Sequence, residues 1–238
     1  MRLVRRRIEG YEYIHAIYKY KDDKDVLDAI LEKAYKLSGK VNPHSSGGSY
    51  REENTRINKL TGGLLLEHSV TEAFKTIAER NSKIFSINTS SFEQDQSLES
   101  MGFNQIDLEL DIDGKIIKVE IRFFFSYKTT VKRLFGFPLK NNRGAFSLIG
   151  WYKSANKPME VKKDFYIFGI HFYNPKLVIE KVKSQVEVMI ATGASKETLE
   201  KIGFDDNLKQ SNATFRIINP IKNAPEVSIV INNILGIT

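Results

Sequence analysis

The stretch Gln105–Thr130, QIDLELDIDGKIIKVEIRFFFSYKTT, sets the fold. Ile106, Leu108 and Leu110 alternate with Asp107, Glu109 and Asp111. After a break, Ile117, Val119 and Ile121 alternate with Lys118, Glu120 and Arg122, and a period of two belongs to strands with one face buried. Between the runs stands Asp113-Gly114, which accepts the positive φ angles of a type I′ turn, so the segment reads as a hairpin. With Ile112 opposite Lys115 the register follows: Glu109 faces Lys118, Asp107 faces Glu120 and Gln105 faces Arg122. Opposed side chains lie about 5 Å apart at Cβ and like charges there destabilise. Something positive is therefore expected between Asp107 and Glu120.

The 238 residues are 41% hydrophobic, which suits a single domain over 1–238 with a substantial core. No run of eighteen apolar residues predicts a membrane span. The N-terminal MRLVRRRIEGYEY is basic but lacks the apolar core of a signal peptide, so an intracellular, cytoplasmic location is the default expectation. The absence of cysteine excludes disulfides, thiol nucleophiles and cysteine-based zinc sites. His15, His44, His68 and His171 show no metal-ligand spacing, and His68 and His171 read as satisfied structural histidines. A formal charge of +7 and a pI near 9.3 suit an anionic partner such as nucleic acid, although a lysine-rich genome yields the same balance.

Outward from the hairpin, RLVRRRIEGYEYIHAIYKY reads as one or two strands and KDVLDAILEKAYKL as a helix. Residues 41–63, rich in Ser, Gly and Asn, are expected to form an exposed loop or a DNA-contacting arm carrying Arg51, Arg56 and Lys59. From Leu64 a helix is predicted through LLLEHSVTEAFKTIAER, with Glu67 at the border of its apolar face. Beyond the hairpin, Lys128, Lys132, Arg133, Lys140 and Arg143 occur without an acid among them, which suggests a phosphate-bearing substrate. Phe123–Phe125 read as core rather than as a stacking platform. AFSLIGWY and KDFYIFGIHFY are expected strands, the second buried on both faces, and PKLVIEKVKSQVEVMIATG an expected helix. The C-terminal stretch gives one or two short strands or a last helix. The whole predicts a mixed α/β domain with a sheet between helices.

Two carboxylates across a hairpin, followed two residues on by a long basic side chain, suit a hard divalent cation held over a phosphate. Here the segment resembles the PD-(D/E)XK nuclease motif, with Asp107 as the first acid and Glu120-Ile121-Arg122 in the place of the (D/E)XK tripeptide. Glu67 looks like the helix acid that completes the metal site in many of these nucleases. Two departures stand out. Asn104, Gln105 and Ile106 precede Asp107 where the family often has Pro, and Arg122 replaces the usual lysine. Arginine does not lose its proton, so Arg122 is not a general base; it binds the scissile phosphate or the attacking water electrostatically, or Lys128 takes over the role. A subgroup of type II restriction endonucleases cutting at GATC-centred sites is similar and carries Gln at that position, in a context close to EIRF. MRLV…EYI, GGLLLEHSVTEAFKTI and APEVSIVINNILGI look like further landmarks of that subgroup, over about half the chain.

The resemblance implies a nuclease-like mixed sheet flanked by helices and a homodimer that hydrolyses double-stranded DNA with magnesium in a prokaryotic cell. Asp107 and Glu120 would be the metal ligands, Arg122 a phosphate or water clamp and Glu67 an auxiliary acid. Lys128, Lys132, Arg133, Arg143, Arg51 and Arg56 are the expected nucleic-acid contacts, with 41–63 and Asn141–Arg143 reaching bases. The plain alternatives are solvated acids on the outer face of a hairpin, a DNA-binding protein without catalysis on a degenerate nuclease fold, and a repair or junction nuclease. Turn chemistry accounts for Asp111 and Asp113.

Overall fold

A computed structural model describes residues 1–40, 52–90, 107–126, 130–137, 146–154, 162–208 and 213–237. In chain order the elements are β1 (Arg2–Ile8), β2 (Tyr11–Lys19), α1 (Tyr20–Ser38), α2 (Glu53–Arg80), β3 (Ser86–Ser90), β4 (Leu108–Ile112) and β5 (Lys115–Phe125). They continue with α3 (Val131–Leu134), β6 (Leu148–Ser154), β7 (Phe165–His171), α4 (Val178–Val182), β8 (Gln185–Ser195), α5 (Lys196–Ile202), β9 (Phe204–Asp206), β10 (Ala213–Ile218) and α6 (Val227–Ile234). Seven strands form one mixed sheet, ordered β1-β2-β8-β7-β5-β4-β3, and β6-β10-β9 form a second. Among the described residues of the large sheet, only β5 and β7 run parallel. The fold is thus the expected mixed α/β sheet flanked by helices.

Alternation along the strands splits the core in two. Ile14, Ala16 and Tyr18 of β2, Ile167 of β7 and Val188 and Ile190 of β8 face α1, α2 and α6. Tyr11, Tyr13, Tyr166, Phe168, Ile170 and Met189 face the other way, toward Leu148 and Trp151 of β6, Leu134 of α3 and Leu199 of α5. β7 is apolar on both faces because both are covered, as its unbroken apolar run implied.

The hairpin has the predicted register, with Leu108 opposite Val119, Glu109 opposite Lys118 and Ile112 opposite Lys115. Asp113 and Gly114 both have positive φ, 53° and 79°, and the Gly114 N–H donates to Asp111 Oδ1 at 2.9 Å. Asp111 therefore serves the turn.

Three expectations need correction. Residues 53–63 are not loop but the first turns of α2, with Ile57, Leu60, Thr61 and Gly62 buried. Their polar composition hid the helix, which tertiary contact with the sheet stabilises; 41–51 lie outside the described residues. The helix expected over 175–193 is only a 3-10 turn at Pro175–Leu177 and the short α4; from Gln185 the chain is β8. Val182, Val186 and Ile190 fit a helical spacing while Val186, Val188 and Ile190 fit a period of two, and a place in the sheet between β2 and β7 decides for the strand. Of the three phenylalanines, Phe123 and Phe125 pack on the core, whereas Phe124 is 45% exposed beside Phe146.

Candidate functional site

β4 leaves the ladder at Leu108, and the next side chain back, Asp107, turns to the backbone of β5: its Oδ2 accepts the Ile121 N–H at 2.6 Å. The hairpin register brings Asp107 to the level of Glu120, and Glu120 Oε1 lies 3.4 Å from Nη2 of Arg122. The Arg122 guanidinium stands over the Tyr152 ring of β6, 5.5 Å from its centroid, an arrangement attractive to a cation. Both side chains of the ion pair are mostly buried, 18% and 15% exposed.

Glu67 reaches this site from α2, whose approach to the sheet glycines permit. A Cβ on Gly169 of β7 would fall 2.4 Å from the Leu66 methyl carbons, and one on Gly62 would fall 2.9 Å from Cζ of Phe125. The helix therefore lies close on β5 and β7, and Glu67 is buried rather than at a surface border. Its negative charge acts on Asp107. His171 pins the same contact: burial pushes its imidazole down to about 4, Nε2 donates to Gly62 O at 2.9 Å and Nδ1 accepts from the Tyr173 hydroxyl at 2.8 Å. It is the satisfied structural histidine the sequence suggested.

One residue of the site carried no signal in the sequence. Lys163, 2% exposed, precedes β7 and acts on Asp107 with a positive charge. Its place is fixed by neighbours: Asp164 exchanges backbone and carboxylate hydrogen bonds with Lys118 of β5, and the Lys163 N–H donates to the Tyr166 hydroxyl at 3.0 Å. The pairing of β7 alongside β5, more than forty residues later in the chain, brings it here, and only that parallel pairing, had it been foreseen, would have found it.

Burial pushes the Asp107 carboxyl up to about 7; the Ile121 N–H holds it down, Glu67 adds to the rise, and Arg122 and Lys163 oppose it. The positive charge expected between the opposed acids is Arg122, which pairs with Glu120 and acts on Asp107; Lys163 adds a second positive charge that acts on Asp107. Burial and the Glu67 charge thus favour the protonated form of Asp107, and the two cations favour the ionised one.

The oxygens of Asp107 and Glu120 are hard donors of the kind magnesium prefers, and a carboxyl raised by burial and a like charge is relieved by a bound cation. Among the described residues no three acidic or histidine side chains form a preformed cage. The donor set therefore fits an ion that takes one or two carboxylates and completes its shell with water and substrate oxygens.

The structure gathers Asp107, Glu120, Arg122 and Glu67, and does not gather the expected nucleic-acid contacts around them. Arg56 sits eleven residues before Glu67 on α2, about 16 Å along the helix axis. Lys132 of α3 pairs with Glu9 at the β1–β2 turn, and Arg133 neighbours it. Arg51, Lys128 and Arg143 lie outside the described residues. No helix among the described residues is long and apolar enough to cross a membrane.

No family model matches the chain, and no solved structure matches it. It is similar to an uncharacterized protein, MJECS01, of Methanocaldococcus jannaschii, with 27% identity over 243 residues that cover 90% of this chain and 83% of that protein. The likeness runs nearly end to end and brings no assigned activity with it.

Proposed function

We propose that the chain is a magnesium-dependent endonuclease that hydrolyses phosphodiester bonds in double-stranded DNA, working as a homodimer in the manner of type II restriction enzymes. The observation that supports this reading is a buried carboxyl, Asp107, raised to about 7 and acted on by Glu67, Arg122 and Lys163, with Arg122 ion-paired to Glu120 on the neighbouring strand. Asp107 and Glu120 would hold the ion. When bound, magnesium supplies Lewis-acid stabilisation of charge on the phosphoryl oxygens and lowers the pKa of a coordinated water.

The chain's own residues do the rest. Arg122, held by Glu120 and Tyr152, offers a fixed cation to a non-bridging oxygen of the scissile phosphate and stays charged throughout. Lys163 supplies the second cation, from a neighbouring strand rather than from the tripeptide, and takes the electrostatic part left open by Arg122 at the motif position. Glu67, buried on α2 with its charge acting on Asp107, is the acid available to orient the attacking water. With the ion bound and Asp107 ionised the five groups and the ion carry one net positive charge, which complements the single negative charge of a phosphodiester.

A second reading has its own support: because Arg122 already neutralises Glu120, the cluster also serves a protein that binds DNA without cutting it. Incubation with unmethylated phage DNA and magnesium separates them, with EDTA and Asp107→Ala as controls. Discrete fragments lost in both controls support the nuclease; intact DNA across metals and salt concentrations leaves binding alone.

A further inference from the structure

We propose that β1 is a second contact surface for the same nucleic acid, a basic edge strand that grips backbone phosphates to one side of the cleavage site. The inference rests on the nuclease reading for the identity of the polyanion. β1 reads RLVRRRI, four arginines with no acid, in a chain whose whole formal charge is +7. The acid set against it is Glu12, which Arg5 and Arg7 share at 3.7 and 3.5 Å, so the strand keeps an excess of three positive charges. All four arginines are exposed, the Arg7 side chain by 72%.

Their placement suits a polyanion. β1 ends the sheet order, and among the described residues no strand pairs with its outer edge. Arg5 and Arg7 stand opposite Ile14 and Glu12 while Arg2 and Arg6 stand opposite Ile17 and Tyr13, so side chains of alternate residues bracket the edge from both faces. The strand is also in line with the site. Glu120 pairs with Tyr166 and Tyr166 with Ala194, and the antiparallel β2–β8 register, with Ile14 opposite Ile190, carries the Glu9–Gly10 turn toward the end of β8 that holds Ala194. Lys132 ion-pairs with Glu9 at that turn, which joins the basic residues of α3 to those of β1 in one surface. From β5 to β1 are four strand spacings, about 19 Å, or roughly five to six base pairs of duplex at 3.4 Å each. One bound duplex spans both.

Arginines on an edge strand also block strand-to-strand association, so the experiment has to separate the two roles. A fluorescein-labelled 30-base-pair duplex is titrated with the full chain in EDTA from 50 to 300 mM KCl, and the slope of log K against log salt is measured. Each lost phosphate contact lowers that slope by about 0.9. The Arg2→Gln/Arg6→Gln/Arg7→Gln variant is expected to be shallower by about 3, and the corresponding triple Lys variant to match the wild type. Should the triple Gln variant fail to fold, Arg6→Gln alone is expected to lose about 1. A slope unchanged in the folded Gln variants, or no binding of duplex by the wild type, would overturn the proposal. Because hydrolysis is not read, a shallower slope in a protein that cuts nothing counts against the nuclease reading alone, and cleavage with an unchanged slope counts against the β1 contact alone.

Discussion

Replacing Asp107 by Asn should stabilise the protein at alkaline pH, an unusual result for a buried hydrogen-bonded residue. In the unfolded chain the carboxyl titrates near 3.8; in the fold it is raised to about 7, chiefly by burial. The folded state therefore prefers the protonated form. Below about pH 4 the residue costs nothing, between 4 and 7 stability falls as pH rises, and above 7 the whole cost stands. Three pH units at 1.36 kcal/mol each give about 4 kcal/mol. Asn removes that cost and keeps an oxygen for the Ile121 N–H, but exchanges a charge-assisted hydrogen bond for a neutral one, losing about 1 kcal/mol. The net gain at pH 8 is about 3 kcal/mol, or about 6–12 °C in Tm for a chain of this size. The assay is urea denaturation of both proteins without divalent metal, at pH 4.5 and pH 8; the acid sensitivity of His171 is common to both and cancels. An Asn variant no more stable than the wild type at pH 8, or a difference independent of pH, would refute the assignment. Magnesium should then raise the stability of the wild type and leave Asp107→Asn unmoved.

Other outcomes follow from single contacts. Lys163→Met removes a buried cation beside Asp107 and should cut the magnesium-dependent cleavage rate on the order of 10²-fold in single-turnover assays, with Lys163→Arg recovering part of it. Gly169→Ala drives a methyl into Leu66 at 2.4 Å and should cost about 1–3 kcal/mol by urea denaturation, with lost activity because α2 carries Glu67. His171, whose folded pKa of about 4 lies below the usual 6.5, should show an NMR titration that leaves it neutral down to pH 5. Its share of stability, about 3 kcal/mol, is present above pH 6.5 and lost as the pH falls toward 4.

The hairpin was legible because two local signals agreed, the alternation of Leu108, Leu110, Ile117 and Val119 and the turn dipeptide Asp113-Gly114. Its register then placed Asp107 and Glu120, and Arg122 followed two residues on. Elements without local agreement were misread. β8 has a valine and isoleucine pattern compatible with a helix, and one of its two neighbours in the sheet, β2, is remote in sequence. The start of α2 is polar in composition, yet Gly62 there leaves room for Phe125, whose Cζ would lie 2.9 Å from an added Cβ. Lys163 is one lysine among many in sequence, distinguished only by being buried next to a carboxyl that a different strand contributes.

The most direct test of the central claim is a single-turnover time course on an end-labelled duplex spanning one mapped cleavage site, with wild type and Glu120→Gln in magnesium. Glu120→Gln removes a carboxylate while keeping the side chain's size. The account predicts hydrolysis by the wild type and a rate at least 10²-fold lower for the variant, with duplex affinity in EDTA preserved. Equal rates in the two proteins would contradict it, because the bond would then be broken without the Glu120 carboxylate of β5.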